Sequence, residues 1–284
     1  SKFDFVHVAY YFGAMLVIGA MGWFMTLGWE AFGGSGIFAI ASTYALAFIF
    51  AGRKLWETPD LKTPGGLCIA MAVGMTPLAT YGIERMLGWW PQSDPGTYSG
   101  FHQWIKGGWF MMEMATVVAA IVALRFFRFP FLTAIIGLIF WYVSMDLAPL
   151  LYGHACSWNE RAWVSIAVGA VMLVIGFGLD RRTEGDFSYW FYLFGMLALW
   201  GGMSSMENGN ELRKFLYFLI NLGFLGVAVI LDRRVFAVFG AFGVMGYLGY
   251  LAHRVFANSV AFPFVVSFIG IAVKQAATPL VSLS

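Results

Sequence analysis

The stretch Val164-Ser-Ile-Ala-Val-Gly-Ala-Val-Met-Leu-Val-Ile-Gly-Phe177 decides the fold. It carries no charge and no alternation of polar and apolar residues, so it does not read as a half-exposed strand. A chain in lipid must satisfy its own backbone polar groups, which leaves helices or a closed barrel. Barrel strands are about ten residues long and alternate strictly. This stretch is therefore a membrane helix. The remainder of the 284 residues agrees, with 60% hydrophobic and 11% charged, against about 25% charged in a soluble domain. Apolar runs lie at roughly 6–29, 33–52, 64–83, 107–124, 129–149, 162–179, 187–204, 215–231, 235–252 and 259–278, near the length of about 20 residues that a crossing needs. The sequence predicts an all-α polytopic transmembrane helical bundle of about ten spans in repeated hairpins. Residues 1–284 read as a single integral membrane domain, with no room for a soluble catalytic one.

The first run lacks the short apolar core and small-residue cleavage site of a secretory signal, so it reads as a true span. The chain opens on Ser1 without an initiator Met, and the expectation is a trimmed N-terminus. Orientation follows from the basic residues. Arg53, Lys54, Lys62, Arg125, Arg128, Arg181, Arg182, Arg233 and Arg234 lie at alternate hinges, and Lys2 and Lys274 lie at the termini. Arg85, Lys106, Arg161, Arg213, Lys214 and Arg254 lie at the others, a bias of eleven to six. The positive-inside rule places both termini and the first set in the cytoplasm.

Two hinges share a motif, Leu179-Asp-Arg-Arg182 and Leu231-Asp-Arg-Arg234. The structural reading has the arginines anchored at lipid phosphates and each Asp paired with a neighbouring Arg. The functional reading is a duplicated transporter-like unit. Each repeat spans an even number of helices and keeps its orientation, so no inverted pair is visible. Gly240, Gly243, Gly246 and Gly249 recur every three residues and predict one broad strip for close helix contact. Gly34-Ser-Gly36 reads as a turn between spans.

A charge at membrane depth is a functional candidate by default. Glu113, in Trp109-Phe-Met-Met-Glu113, and Asp146, in Trp141-Tyr-Val-Ser-Met-Asp146-Leu-Ala-Pro149, both lie inside runs. Counted from the hinge between them, they sit about 18 Å and about 24 Å along adjacent helices, close to one turn apart in depth. Pro149 lacks a backbone donor and crowds the carbonyl of Met145, so the helix is expected to end or loosen beside Asp146. Glu30, Glu84 and Arg85 fall on the same outer side. The sharp reading is an outward-facing acidic cavity for a cation or proton, with Glu113 and Asp146 at its floor and Glu84, Arg85 and Glu30 as further binding candidates. The bland reading pairs each acid with Arg85, Lys106 or Arg161, Glu84-Arg85 above all. His102, His154 and Cys156 are metal-ligand candidates for zinc or copper, although no HExxH or CxxC accompanies them. Cys68 and Cys156 fall at opposite ends of the bundle and should stay unpaired.

Phosphate loops of the Gly-x-x-x-x-Gly-Lys kind and Gly-x-Ser-x-Gly elbows are absent, so the sequence favours a non-enzyme and names no cofactor. Basic residues in pairs at helix ends give no nucleic-acid signal. Three functions stay open. One is a transporter or channel-like carrier of a small solute or cation. Another is a non-catalytic subunit or scaffold that binds membrane lipid, a partner protein or a second copy. The third is a membrane metal or redox protein.

The strings Tyr10-Tyr-Phe-Gly-Ala-Met-Leu-Val-Ile-Gly-Ala-Met-Gly-Trp-Phe24, Trp29-Glu30, Thr76-Pro-Leu-Ala-Thr-Tyr-Gly-Ile-Glu84 and Leu87-Gly-Trp-Trp-Pro91 carry a resemblance. So does Val235-Phe-Ala-Val-Phe-Gly-Ala-Phe-Gly-Val-Met-Gly-Tyr247. Over about half of its length the chain resembles a family of uncharacterised multi-spanning bacterial inner-membrane proteins whose first helix ends in a Trp-acid pair. The resemblance implies a bacterial inner (cytoplasmic) membrane and carries no activity to any residue. Cysteine labelling from outside, on a Cys-free background, tests the topology. Position 97 should label and position 183 should not; the reverse result would invert it.

Overall fold

The computed structural model describes residues 5–28, 32–90, 108–152, 157–206, 210–255 and positions 264, 267 and 268. Among these no strand occurs. The helices are α1 (Phe5–Gly28), α2 (Gly33–Trp56), α3 (Lys62–Gly74), α4 (Thr76–Leu87), α5 (Gly108–Phe126) and α6 (Leu132–Tyr152). They are followed by α7 (Trp158–Arg182), α8 (Tyr189–Ser205), α9 (Glu211–Leu231) and α10 (Arg234–Tyr250). A 3-10 turn, Pro59–Leu61, precedes α3, and a π-turn, Leu251–Val255, extends α10. Among the described residues five helical segments are long and apolar enough to cross a membrane: Gly33–Trp56, Pro59–Leu87, Trp158–Arg182, Glu211–Leu231 and Arg234–Arg254. Val8–Ala20 and Leu132–Met145 are shorter apolar segments. The apolar run at 259–278 lies almost wholly outside the described residues.

The chain divides into two compact units, Ser1–Met206 and Glu207–Ser284. In the first, α2 runs against both α3 and α4, α5 packs on α3, α4 and α6, and α7 packs on α6 and α8. The core gathers Leu67, Ile69, Ala70, Ala120, Leu132, Ile136, Met172 and Phe191. In the second unit α9 and α10 form a hairpin of their own.

Glycines set the closest approaches. A Cβ on Gly82 would lie 2.8 Å from the Gly34 carbonyl and 2.7 Å from the Phe38 nitrogen. A Cβ on Gly52 would lie 3.0 Å from the Gly65 carbonyl. These two pairs keep α2 against α3–α4 over about 27 Å of helix rise. The α7–α8 hairpin is tighter still, since a Cβ on Gly169 would lie 2.5 Å from the Leu199 nitrogen and 2.7 Å from the Gly195 carbonyl. Backbones this close leave room for hydrogen alone, which is how small residues bind helices together in lipid.

The structure departs from the sequence reading in five places. Gly33, at φ +60°, makes the turn after α1, and Gly34-Ser-Gly36 is the first turn of α2. The apolar run 64–83 is broken, because Pro77 has no N–H for the carbonyl four residues back and α3 stops at Gly74. The Met75 N–H turns to Ala72 O at 3.1 Å, and the Ala79 N–H resumes the ladder to Met75 O at 3.0 Å. Helix α6 runs through Asp146 and three residues past Pro149, since one missing hydrogen bond does not end a helix whose other rungs are intact. The two Leu-Asp-Arg-Arg copies are not equivalent. Asp180 is helical and accepts from Ser188 Oγ (3.0 Å) and Tyr192 OH (3.3 Å) at the start of α8, while Arg181 lies over the Phe177 ring. Asp232 instead sits in the left-handed region, φ 51°, and turns the chain into α10. Finally, the three-residue glycine strip drifts by about 60° per step around a helix of 3.6 residues per turn. Gly240 and Gly243 face α9, where Gly243 makes room for the buried Asn221 amide, and Gly246 and Gly249 face open space.

Gly169→Ala should therefore push α7 off α8 and lower stability by about 1–3 kcal/mol. Gly178→Ala, with nothing within 4 Å of the new methyl, should be neutral or stabilising by up to about 1 kcal/mol. Thermal unfolding of the purified protein distinguishes the two.

Candidate functional site

Helix α4 buries Leu78, Tyr81, Gly82 and Glu84. Leu78, Tyr81 and Glu84 recur at three-residue intervals, each step drifting by about 60°, so the buried surface of α4 wraps round the helix from Leu78 to Glu84. Gly88 ends it in the left-handed region at φ +69°, the usual glycine stop. The chain then folds back, with the N–H groups of Trp89 and Trp90 donating to the Glu84 carbonyl at 2.9 and 3.2 Å. That return sets the Trp90 ring edge-on to Tyr81, centroids 4.8 Å apart. Ile37 and Ala41 of α2, Leu78 and Tyr81 of α4, Trp90 and Met112 of α5 close into one apolar cluster.

Helix α5 buries Met112, Glu113, Thr116, Val117 and Ala120, a stripe of helical period. Glu113 thus lies on the packed side of α5, beside the methionine that completes the cluster. Glu84 and Glu113 are 2% and 5% exposed.

Burial of a polar side chain is tolerated when its hydrogen bonds are made. Five buried hydroxyl and amide side chains among the described residues meet that condition. Thr116 Oγ donates to Met112 O, Thr133 Oγ to Pro130 O, Ser144 Oγ to Trp141 O, Ser188 Oγ to Asp180, and Asn221 Nδ2 to Tyr217 O. Glu84 does not. Among the described residues neither of its carboxyl oxygens has a hydrogen-bond partner. Arg85 is its sequence neighbour but forms no ion pair with it. Successive helical side chains diverge by about 100°, and the Arg85 stem lies instead against Gly34 of α2. The expected Glu84–Arg85 neighbour pair is therefore absent. The last turn of α4 is also the negative end of its helix dipole, so the backbone gives a carboxylate charge no support there.

The remaining sequence candidates are placed only in part. α5 and α6 do pack side by side, as the Glu113–Asp146 reading requires, but the Asp146 side chain lies outside the described residues. Glu30, His102, His154 and Cys156 lie outside them as well. Among the described residues no group of three His, Cys, Asp or Glu side chains is disposed to hold a metal ion. Tyr81, Trp90 and Met112, which belong to the neighbouring cluster, carry no charge or motif that marks them in the sequence. No family model, curated protein or solved structure matches the chain.

Removing a buried acid whose hydrogen bonds are unmade relieves its desolvation. Glu84→Met, of similar length and fully apolar, should raise stability by about 1–3 kcal/mol. A melt showing the variant less stable than wild type would mean that Glu84 is held by interactions essential to the fold.

Proposed function

We propose that this chain is a multi-spanning membrane carrier of protons or small cations that works through Glu84. The observation that carries the reading is the Glu84 carboxyl, 2% exposed and with no hydrogen bond to either oxygen among the described residues. Such a group persists in a membrane protein with a proton on it or a cation against it, because a bare charge in that setting costs several kcal/mol (about 3 or more). The proton is the better cargo. Divalent cations such as calcium and magnesium take about six or more oxygen ligands, whereas the neighbouring cluster of Ile37, Ala41, Leu78, Tyr81, Trp90 and Met112 offers one side-chain oxygen, the Tyr81 hydroxyl. A proton needs one carboxyl oxygen and a change of exposure. Glu113 is the second station in this reading, since it is the other buried acid and lies on α5, the helix that supplies Met112 to the cluster. The break at Met75–Pro77 supports such a change of exposure, because it leaves α4 joined to α3 by a tight turn rather than a continuous ladder.

The finer topology belongs to the same proposal: ten spans, both termini cytoplasmic and a bacterial inner membrane. The apolar helices support the spans and the basic bias of alternate hinges supports the orientation, while the bacterial inner membrane rests on the family resemblance.

The test is flux. In liposomes loaded with a pH-sensitive dye, wild type should carry protons down an imposed gradient. Glu84→Gln should reduce the rate at least about tenfold, the scale on which losing a proton-transfer group acts, while Glu84→Asp keeps part of it. Equal flux through wild type and Glu84→Gln, or none through wild type, would overturn the proposal.

A further inference from the structure

At the other end of α3, the ring of Trp56 meets those of Phe127 and Phe129, centroids 5.6 and 6.3 Å apart and nearly perpendicular. Phe129 also lies over Gly66, where a Cβ would strike its ring. This aromatic brace draws the end of α2, the start of α3 and the α5–α6 hinge into one corner. Five exposed cations ride on those three segments: Arg53 and Lys54, Lys62, and Arg125 and Arg128. Among the described residues none of the five is in an ion pair. Two exposed acids, Glu57 and Asp60, share the corner and leave it with three net positive charges. Phe50, about one turn before Arg53 on the membrane side, and Phe126, between Arg125 and Arg128 at the end of α5, are 74% and 73% exposed.

We infer that this corner binds the headgroup of an anionic phospholipid. Unpaired guanidinium forks match phosphate oxygens. Aromatic side chains belong at the boundary between headgroups and acyl chains. A basic cluster immediately beyond a membrane helix is what attracts an anionic leaflet. The exposed Phe50 lies one turn inside Arg53, so charge and apolar surface follow one another there in the order that a phospholipid presents them, and the exposed Phe126 stands at the level of the arginines, where the boundary runs. The inference rests on the membrane reading and is independent of the Glu84 site.

The experiment is thermal unfolding in nanodiscs of phosphatidylcholine doped with increasing phosphatidylglycerol. Failure of the chain to assemble in phosphatidylcholine alone would sink the membrane reading itself. The unfolding temperature of wild type should rise with the phosphatidylglycerol fraction and level off, and high salt should suppress the rise. Arg125→Gln/Arg128→Gln should match wild type in phosphatidylcholine but require about tenfold more phosphatidylglycerol for the same rise. Arg213→Gln, on α9, should behave as wild type. Inorganic phosphate should leave every melt unchanged. No rise in wild type, a rise insensitive to salt, an equal rise in the double variant, or a rise with free phosphate would each overturn the inference. The salt arm needs only wild type and holds if the double variant does not fold.

Discussion

The close approach of α2 to the broken pair α3–α4 is the contact on which the rest of the first unit depends. In the membrane setting proposed for this chain, helices gain little from burying apolar side chains against one another, since the lipid is equally apolar, so they are held where backbones can touch. Gly34 against Gly82 and Gly52 against Gly65 supply that touch at both ends of the pair. The upper contact presses α4 onto α2 through Gly82, and Glu84, two residues on, lies on the far side of α4, which also packs on α5. The lower one sets Trp56 beside Phe127 and Phe129. An acid kept from water and a basic corner open to solvent therefore sit at opposite ends of one helical pair, separated by roughly 33 Å of helix rise.

Positions of helices were legible because length and apolarity are local properties of a sequence. How the helices touch was less so. Gly34-Ser-Gly36 read as a turn because glycine permits turns as well as contacts, and only the partner Gly82 shows which use applies. Pro77 and Pro149 illustrate the same limit. Each removes one backbone donor, yet α3 stops before Pro77 while α6 continues past Pro149. The outcome turns on what surrounds each rung, which is tertiary information. The Leu-Asp-Arg-Arg copies look alike on paper, but Ser188 and Tyr192 engage only the first.

The acid site divides similarly. A charge within an apolar run is visible in sequence, and Glu113 was found that way. Glu84 is a further candidate in the sequence, with pairing to the arginine that follows it as the bland reading, although adjacent residues on a helix point apart. Helical spacing does not single Glu84 out, because it places Arg85 closer than Glu84 to the line of Leu78 and Tyr81; the burial of Glu84 comes from packing on more than one side of α4. The folded-back Leu87-Gly-Trp-Trp90 segment adds a lid of indole over Tyr81, a feature signalled by the glycine stop but not by any hydropathy pattern.

The central claim is that Glu84 is a dry, unpaired acid that carries a proton. Infrared difference spectroscopy on membranes containing wild type and Glu84→Gln addresses it directly, because a protonated carboxylic acid has a carbonyl stretch well separated from that of a carboxylate. The account predicts a protonated-acid band in wild type at neutral pH, shifted by deuteration and missing from Glu84→Gln. A spectrum with no such band attributable to Glu84, or with a carboxylate band in its place, would contradict it.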